Sequence, residues 1–432
     1  MGSKVRKLEF CQVFGNTPTK NEISPPDLIT SLEFDSKGDI LAVGDRQGRV
    51  VLLQRDSASK GKERPRKYKF FYELQSHLPV FDNLRSQDIE EKINDIAWLK
   101  SGAPGRHSLL SCNDKTIKYF SVREKMTPFY QDDIPSRVTH QEQLAYLNAH
   151  SFHINSLNVT ADQTHFFSTD DLRINLWDIN RNDTCLTMVD LHPGDFENLN
   201  EVISCSAASP NNASLMAFGT SKGDVYLCDT RQNCLLDRGT MVLSDVFSAP
   251  KANSLMSITC CLGGLSFNNE GTLVAARDYL CTKVWDLRNT TQLLSMIPVH
   301  DQILPEIESL YFKEVIFDRF KVRWSHDDSL LLTGSYSDNF LFSDVLGKWG
   351  LMTEAKRFSS TKSLKSPPKN KVDDAIVSSM GGSYTLRDGL VVADALPTST
   401  DYFKKILHVD CHPEEDIFAV ATLHNIYIYD LQ

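Results

Sequence analysis

TDDLRINLWD, Thr169–Asp178, is the most telling peptide in the chain. It opens on small and polar residues and turns through two adjacent Asp residues. It then runs Arg173-Ile174-Asn175-Leu176-Trp177 before closing on Asp178. Alternation with a period of two marks a strand with one buried face. The residues ahead of it complete a unit. AHSFHINSLNV (Ala149–Val159) is a loop and a first strand, ADQTH a turn, FFST a second strand, and DDL the turn into the third. No segment of comparable length carries a helical period.

Looser copies lie on both sides: CNDKTIKYF at Cys112–Phe120, SKGDVYLCD at Ser221–Asp229, ARDYLCTKVWD at Ala276–Asp286 and SYSDNFLFSD at Ser335–Asp344. Two more stand near the chain ends, GDRQGRVVLL at Gly44–Leu53 and TLHNIYIYD at Thr422–Asp430. Recurrence of this kind means a repeat architecture, in which each unit buries its apolar faces against its neighbours. The units centre near residues 27–54, 92–122, 149–180, 199–232, 255–289, 319–346 and 403–431. A unit with Trp-Asp at its end takes about 40–45 residues, so seven need about 300. The chain has 432. The surplus is expected as insertions at about 55–88, 123–148 and 347–402.

The expected fold is therefore all-β: one domain over residues 1–432, a seven-bladed WD40-type β-propeller with loop insertions. The last unit supplies only three strands before the chain ends. The strand around Lys7–Val13 is expected to add the fourth and close the ring, so that only short, protected edges remain.

Composition narrows the function. The chain is 41% hydrophobic and 24% charged, the balance of a soluble globular protein. No apolar run approaches the roughly 18–20 residues that span a bilayer, so no membrane partner is expected. MGSKVRKLEF has no apolar core of a secretory signal, and Arg6 stands where a myristoylation motif at Gly2 wants Ser or Thr. Ten Cys residues occur without CxxC pairs, several inside strand-like runs, as suits reduced thiols in the cytoplasm. The expected location is the cytoplasm, with the nucleus as a second one. In that setting Asn158, Asn182, Asn212 and Asn289, each heading an Asn-X-Ser/Thr triplet, are chance matches to a glycosylation signal. The net charge of −10 disfavours nucleic acid and favours basic partners.

No phosphate loop, HExxH, GxSxG or dinucleotide fingerprint is present, so no catalysis, cofactor or metal is expected. His150 occupies the place of a loop histidine that shares hydrogen bonds with small and acidic residues of its own blade. His408 and His412 flank a first strand with no third ligand nearby in sequence. Asp171 lies six residues before Trp177, as Asp114 lies six before Phe120. That shared offset points to a structural carboxylate accepting hydrogen bonds in a tight turn, whereas Asp170 has no such counterpart. Two adjacent carboxylates on the rim would also present negative potential to a ligand. SQDIEEKIND (Ser86–Asp95) reads as a solvated acidic face, or as part of a binding face. The basic run KGKERPRKYK is a solvated loop or a docking patch, and Lys356–Lys371 reads as a mobile loop.

At several segments the chain resembles a specific family, the fifty-five-kilodalton B-type WD-repeat regulatory subunits of protein phosphatase 2A. The matching segments are GDRQGRVVLLQR, LQSHLPVFDNLRSQDIEEKIN, NDKTIKYF, NAHSFHINS, DDLRINLWD, LNEVIS, TSKG, RDYLCTKVWDL, LTGSY, EAKR and FKKILHVDCHP, in the family's order. The resemblance implies a noncatalytic subunit that joins a helical-repeat scaffold subunit and a metal-dependent catalytic subunit. It implies recruitment of phosphoserine and phosphothreonine substrates with basic flanking segments through the propeller's top face. The positions it singles out are Arg46, Phe81, Asp88, Glu90, Phe152, His153, Asp171, Leu199, Val202 and Tyr336. Arg46 stands where Lys is common, which keeps the charge and alters its hydrogen-bond geometry. Leu199 and Val202 would form a short apolar groove. The family's long scaffold-gripping arm follows the second blade. Its counterpart here, Arg123–Asn148, is much shorter, and Ser360–Ala395 does not match. The alternative is a stand-alone WD-repeat adaptor that no longer joins the phosphatase; a propeller enzyme has little support.

Overall fold

The computed structural model describes residues 6–15, 28–56, 67–83, 86–100, 103–125, 137–232, 241–243, 254–356, 362–364, 384–387, 390–393 and 400–431. Most of the basic run KGKERPRKYK and of the Lys356–Lys371 loop lies outside them. Among the described residues, seven antiparallel blade sheets follow one another along the chain. The third shows the pattern: Ser156–Val159, His165–Thr169, Arg173–Asp178 and Cys185–Asp190, paired in sequence order. The innermost strands are Ile29–Phe34, Asp95–Leu99, Ser156–Val159, Ile203–Ala208, Gly264–Phe267, Val322–Trp324 and His408–Cys411. Each touches the next around a closed ring.

The ring closes as the sequence leads one to expect. Arg6–Phe14 is the fourth strand of the last blade and runs antiparallel to Ile426–Leu431, from Leu8↔Leu431 to Phe14↔Ile426. Lys362–Leu364 pairs onto its outer side. Closure satisfies the ladder groups that the first and last strands would otherwise leave open.

The core lies between blades. Tyr146 of blade two packs edge-on against Phe166 and Trp177 of blade three, with ring centroids 4.9 and 5.3 Å apart. Second strands are rich in small residues because blades converge toward the axis. A Cβ on Gly334 would collide with the Ile406 carbonyl oxygen, so no side chain fits there.

Three features depart from the expected layout. The fourth strands of blade one, Tyr68–Gln75, of blade two, Arg137–Tyr146, and of blade six, Gly350–Glu354, come from within the intervals assigned to insertions. In blade two the pairing of Ile117–Lys125 with Arg137–Tyr146 runs out to Lys125↔Arg137; residues 126–136 lie outside the described ones. The link between blades five and six folds into short helical segments that the sequence pattern does not announce. They are Asp301–Glu306, Ile307–Phe312 and Val315–Phe317.

Candidate functional site: one face of the ring

Strand order settles which loops share a face. In a four-stranded meander, the turn between the second and third strands lies on the same side as the link to the next blade. Arg46, Asp171 and Tyr336 sit in such turns. Phe81, Asp88, Glu90, Phe152, His153, Leu199 and Val202 sit on such links. All ten positions therefore belong to one face. The paired strand ends Lys125 and Arg137 lie on the opposite one.

Geometry reverses the expected structural role of the Asp pair. Asp170 is the structural carboxylate: it is fully buried and accepts from the Leu172 and Arg173 backbone N–H groups at 2.8 and 2.6 Å. A chain of hydrogen bonds stands behind it. Trp177 Nε1 donates to Ser168 Oγ (2.8 Å), Ser168 Oγ meets His150 Nε2 (2.6 Å), and His150 Nδ1 meets Asp170 Oδ2 (2.8 Å). Burial opposes the charge on Asp170, but the His150 hydrogen bond and charge and the two backbone N–H groups outweigh it and hold the pKa below the usual range. The repeated offset is seven residues, not six. Asn113 before Phe120 and Asp278 before Trp285 each accept turn N–H groups in the same way, and Asp45, in a turn one residue longer, accepts from the Arg49 N–H. Asp171 and Asp114 stand one position later, where the turn faces outward.

Asp171 is half-buried at the rim. Burial raises its pKa, Arg319 opposes the shift, and Asp170 adds to it. Its carbonyl accepts from Ile203 N at 2.8 Å, which ties the turn to the next blade. Asp114 does the equivalent one blade earlier: its carbonyl accepts from Ile154 N, and its carboxylate accepts from Asn94 Nδ2 at 2.8 Å. His153 Nδ1 lies 2.9 Å from the Asp114 carboxylate, while Phe152 beside it is half-buried.

At blade one, Arg46 and Glu90 approach to 3.6 Å with both side chains about half exposed. Phe81, 53% exposed, is paired with Asp88 across the small hairpin of Val80–Asp82 and Gln87–Ile89. The Glu90 carbonyl accepts from Asn113 Nδ2 at 3.0 Å, so this acidic link is fixed to the turn of blade two. Gly48 makes the close approach possible: its φ is +77°, and a Cβ there would collide with the His77 carbonyl oxygen.

Leu199 follows the single helical turn Phe196–Asn198 and is exposed; Val202 is half-buried and bonded through its backbone to Ser221. Phe196, 55% exposed on the same link, extends this apolar stretch and was not singled out from the sequence.

Tyr336 is the second correction. It is 1% exposed and cannot touch a partner. The turn that carries it does lie on this face, but the helical cap of residues 301–318 covers it. What the cap presents instead is aromatic: Tyr311, Phe312 and Phe317 are 38, 77 and 56% exposed. Tyr311 touches both Phe rings, with centroids 5.8 and 6.1 Å away. Arg319 leaves the cap toward the ring, donates to the Ser204 carbonyl at 3.3 Å and is the cation nearest in effect to Asp171. The signal in the sequence was three aromatics in a linking segment, where polar turn residues are the norm. The face thus combines exposed carboxylates at Asp88 and Glu90, the rim acid Asp171, and two apolar stretches.

A family profile described as "WD domain, G-beta repeat" matches residues 141–178. Three curated relatives are similar over nearly the whole chain. The first is a B-type regulatory subunit of protein phosphatase PP2A from Schizosaccharomyces pombe, 35% identical, covering 98% of this chain and 97% of its own length. The second is a 55 kDa regulatory subunit of protein phosphatase PP2A from Drosophila melanogaster, 35% identical, covering 97% of this chain and 86% of its own. The third is the gamma isoform of the B-type 55 kDa regulatory subunit of serine/threonine-protein phosphatase 2A from Macaca fascicularis. It is 34% identical, covering 94% of this chain and 93% of its own. Among solved structures, the Myceliophteria thermophila Cps50 (Swd1) β-propeller domain superposes with a TM-score of 0.55 over 96% of this chain and 100% of that one. At 12% identity it speaks for the fold alone.

Proposed function

The chain belongs to the family of 55 kDa regulatory B subunits of protein phosphatase 2A, and on that premise we propose that it recruits phosphoprotein substrates to the phosphatase through the face just described. It regulates and does not itself catalyse. In this reading the propeller docks on the scaffold and catalytic subunits, and the face carrying Asp88, Glu90 and Asp171 receives phosphoserine or phosphothreonine proteins. The observation that carries it is topological: positions scattered over the turns of three blades and over three links fall on one face. The blade-two strand ends Lys125 and Arg137, in the counterpart of the family's scaffold arm, lie on the other. One face is then free for substrate while the other meets the scaffold.

The physics of the face suits this role. Exposed carboxylates steer basic segments flanking a phosphosite and fix their register. Apolar side chains at Leu199, Phe196 and the cap supply the surface that water leaves on contact. Tethering raises the effective concentration of substrate at the phosphatase site. The free cysteines of the described residues suit the reducing cytoplasm, where this reading places the protein, and the nucleus equally.

Charge reversal tests the face. Asp88→Lys with Glu90→Lys should weaken capture of a basic phosphoprotein while leaving scaffold and catalytic subunits bound. Loss of assembly in that variant, or undiminished capture, would refute the assignment. The shortness of the blade-two arm favours a second reading, a stand-alone adaptor. Recovery of other proteins without phosphatase activity would single it out.

A further inference from the structure

The helical cap rests on a small core of its own. Ile303, Ile307, Leu310 and Ile316 pack on Tyr279, Phe320 and Tyr336, apart from the clusters between blades. Three elements meet at the Tyr336 hydroxyl: its own turn, blade five and the cap. It lies 3.0 Å from the Tyr279 hydroxyl of blade five, 3.1 Å from the Val315 carbonyl and 3.1 Å from Asp318 Oδ2, both of the cap. If Tyr279 donates to it, its own proton remains for Asp318. Lys405, on the link into blade seven, holds the other Asp318 oxygen at 2.5 Å. Tyr402 of the same link packs on the Tyr336 ring and donates to Glu306 of the cap at 2.7 Å. The backbone of Tyr336 bridges to Lys405. Burial and the Asp318 charge keep the Tyr336 hydroxyl protonated, so it is always available as a donor.

We infer that Tyr336 is a positioning residue: with Asp318 and Lys405 it clamps the cap to blades five, six and seven, and so sets the orientation in which Tyr311, Phe312 and Phe317 meet a substrate. The inference rests on the recruiting role proposed above. It reassigns Tyr336 from the surface to the support beneath it. Short helical segments of six and three residues cannot hold their own shape in water. Without a clamp the exposed rings would sample many orientations, and ordering them would weaken binding.

The test uses the holoenzyme assembled from this subunit with scaffold and catalytic subunits. Phosphorylated histone H1 is the basic substrate, and para-nitrophenyl phosphate reports the catalytic subunit alone. Tyr336→Phe should raise KM for phosphohistone by about fivefold, the scale of the net worth of one ordinary hydrogen bond, with kcat little changed. Hydrogen exchange in residues 301–318 should quicken while the blades stay protected. Lys405→Met, which breaks the clamp from outside the core, should do the same, and Phe312→Ala should raise KM without quickening exchange. If Phe312→Ala raises KM and neither clamp variant does, the positioning role is refuted and the recruiting face stands. Unchanged KM in all three variants would overturn the inference, and Asp88→Lys with Glu90→Lys in the same assay then decides whether the recruiting face stands without the cap. A fall in assembly or in para-nitrophenyl phosphate hydrolysis with Tyr336→Phe and Lys405→Met would show a merely structural role and overturn the inference.

Discussion

Asp170 accepts two backbone N–H groups and the His150 ring with no exposure to water, whereas Asp171 beside it faces the rim. Removing one partner of a buried charged pair costs about 3–5 kcal/mol, so Asp170→Ala should lower the unfolding free energy by that order. Asp171→Lys should leave thermal stability close to that of the parent and weaken substrate capture, with the loss shrinking at high salt. If Asp171→Lys unfolds the protein instead, the structural role belongs to Asp171 after all. The pH dependence separates further residues. The Asp170 pKa is lowered by folding, so its contribution is present above the unfolded value of about 4 and is lost as pH falls through the folded one. Asp338 is shifted the other way, up to about 6, by burial, with Glu354 and Asp401 adding and Lys404 opposing. Its protonated form is the favoured one in the fold. Stability is therefore gained as pH falls from about 6 toward about 4, and lost as pH rises through 6. Asp338→Asn should flatten that slope and raise the midpoint of thermal unfolding at pH 7. An unchanged slope would contradict the assignment. None of these contrasts could be seen in the sequence. Two adjacent carboxylates in DDL look alike, and only the turn's geometry decides which one faces the N–H groups.

Among the elements, the N-terminal strand has the clearest consequence. Arg6–Phe14 contributes no Trp-Asp signature, yet it pairs along Ile426–Leu431 and buries Leu8. Deleting residues 1–14 should open the ring and lower the thermal midpoint sharply, and adding the strand back as a peptide should restore part of it. Unchanged melting of the truncated chain would show that the blade is complete without it. The strands were legible because a half-buried strand writes its period of two into as few as five residues, as Arg173–Trp177 does. The cap was not. Helical segments of three to six residues are too short to show a period of 3.6, and ESLYFKEVIF reads equally well as strand or loop. The misplacement of Tyr336 follows from missing the cap. Its turn lies on the exposed face in the generic blade and becomes buried only where another element lies over it.

Taken as a whole, the molecule sorts its turns and links onto two faces. Trp177, Trp285 and the alternating strands build the ring. Turns and links on one side gather Arg46, Glu90, Asp171, Leu199 and the aromatic cap, while the blade-two strand ends Lys125 and Arg137 lie on the other. The sequence carried the membership of that face because the motifs are collinear with the family's. It could not carry how blades meet across the ring, such as the influence of Arg319 on Asp171. Whether this ring is a targeting subunit of a phosphatase is decided by recovering the tagged full-length protein from its own cells. Scaffold and catalytic subunits should come with it, and the eluate should dephosphorylate a phosphoserine protein. An eluate lacking both subunits and phosphatase activity would contradict the targeting role.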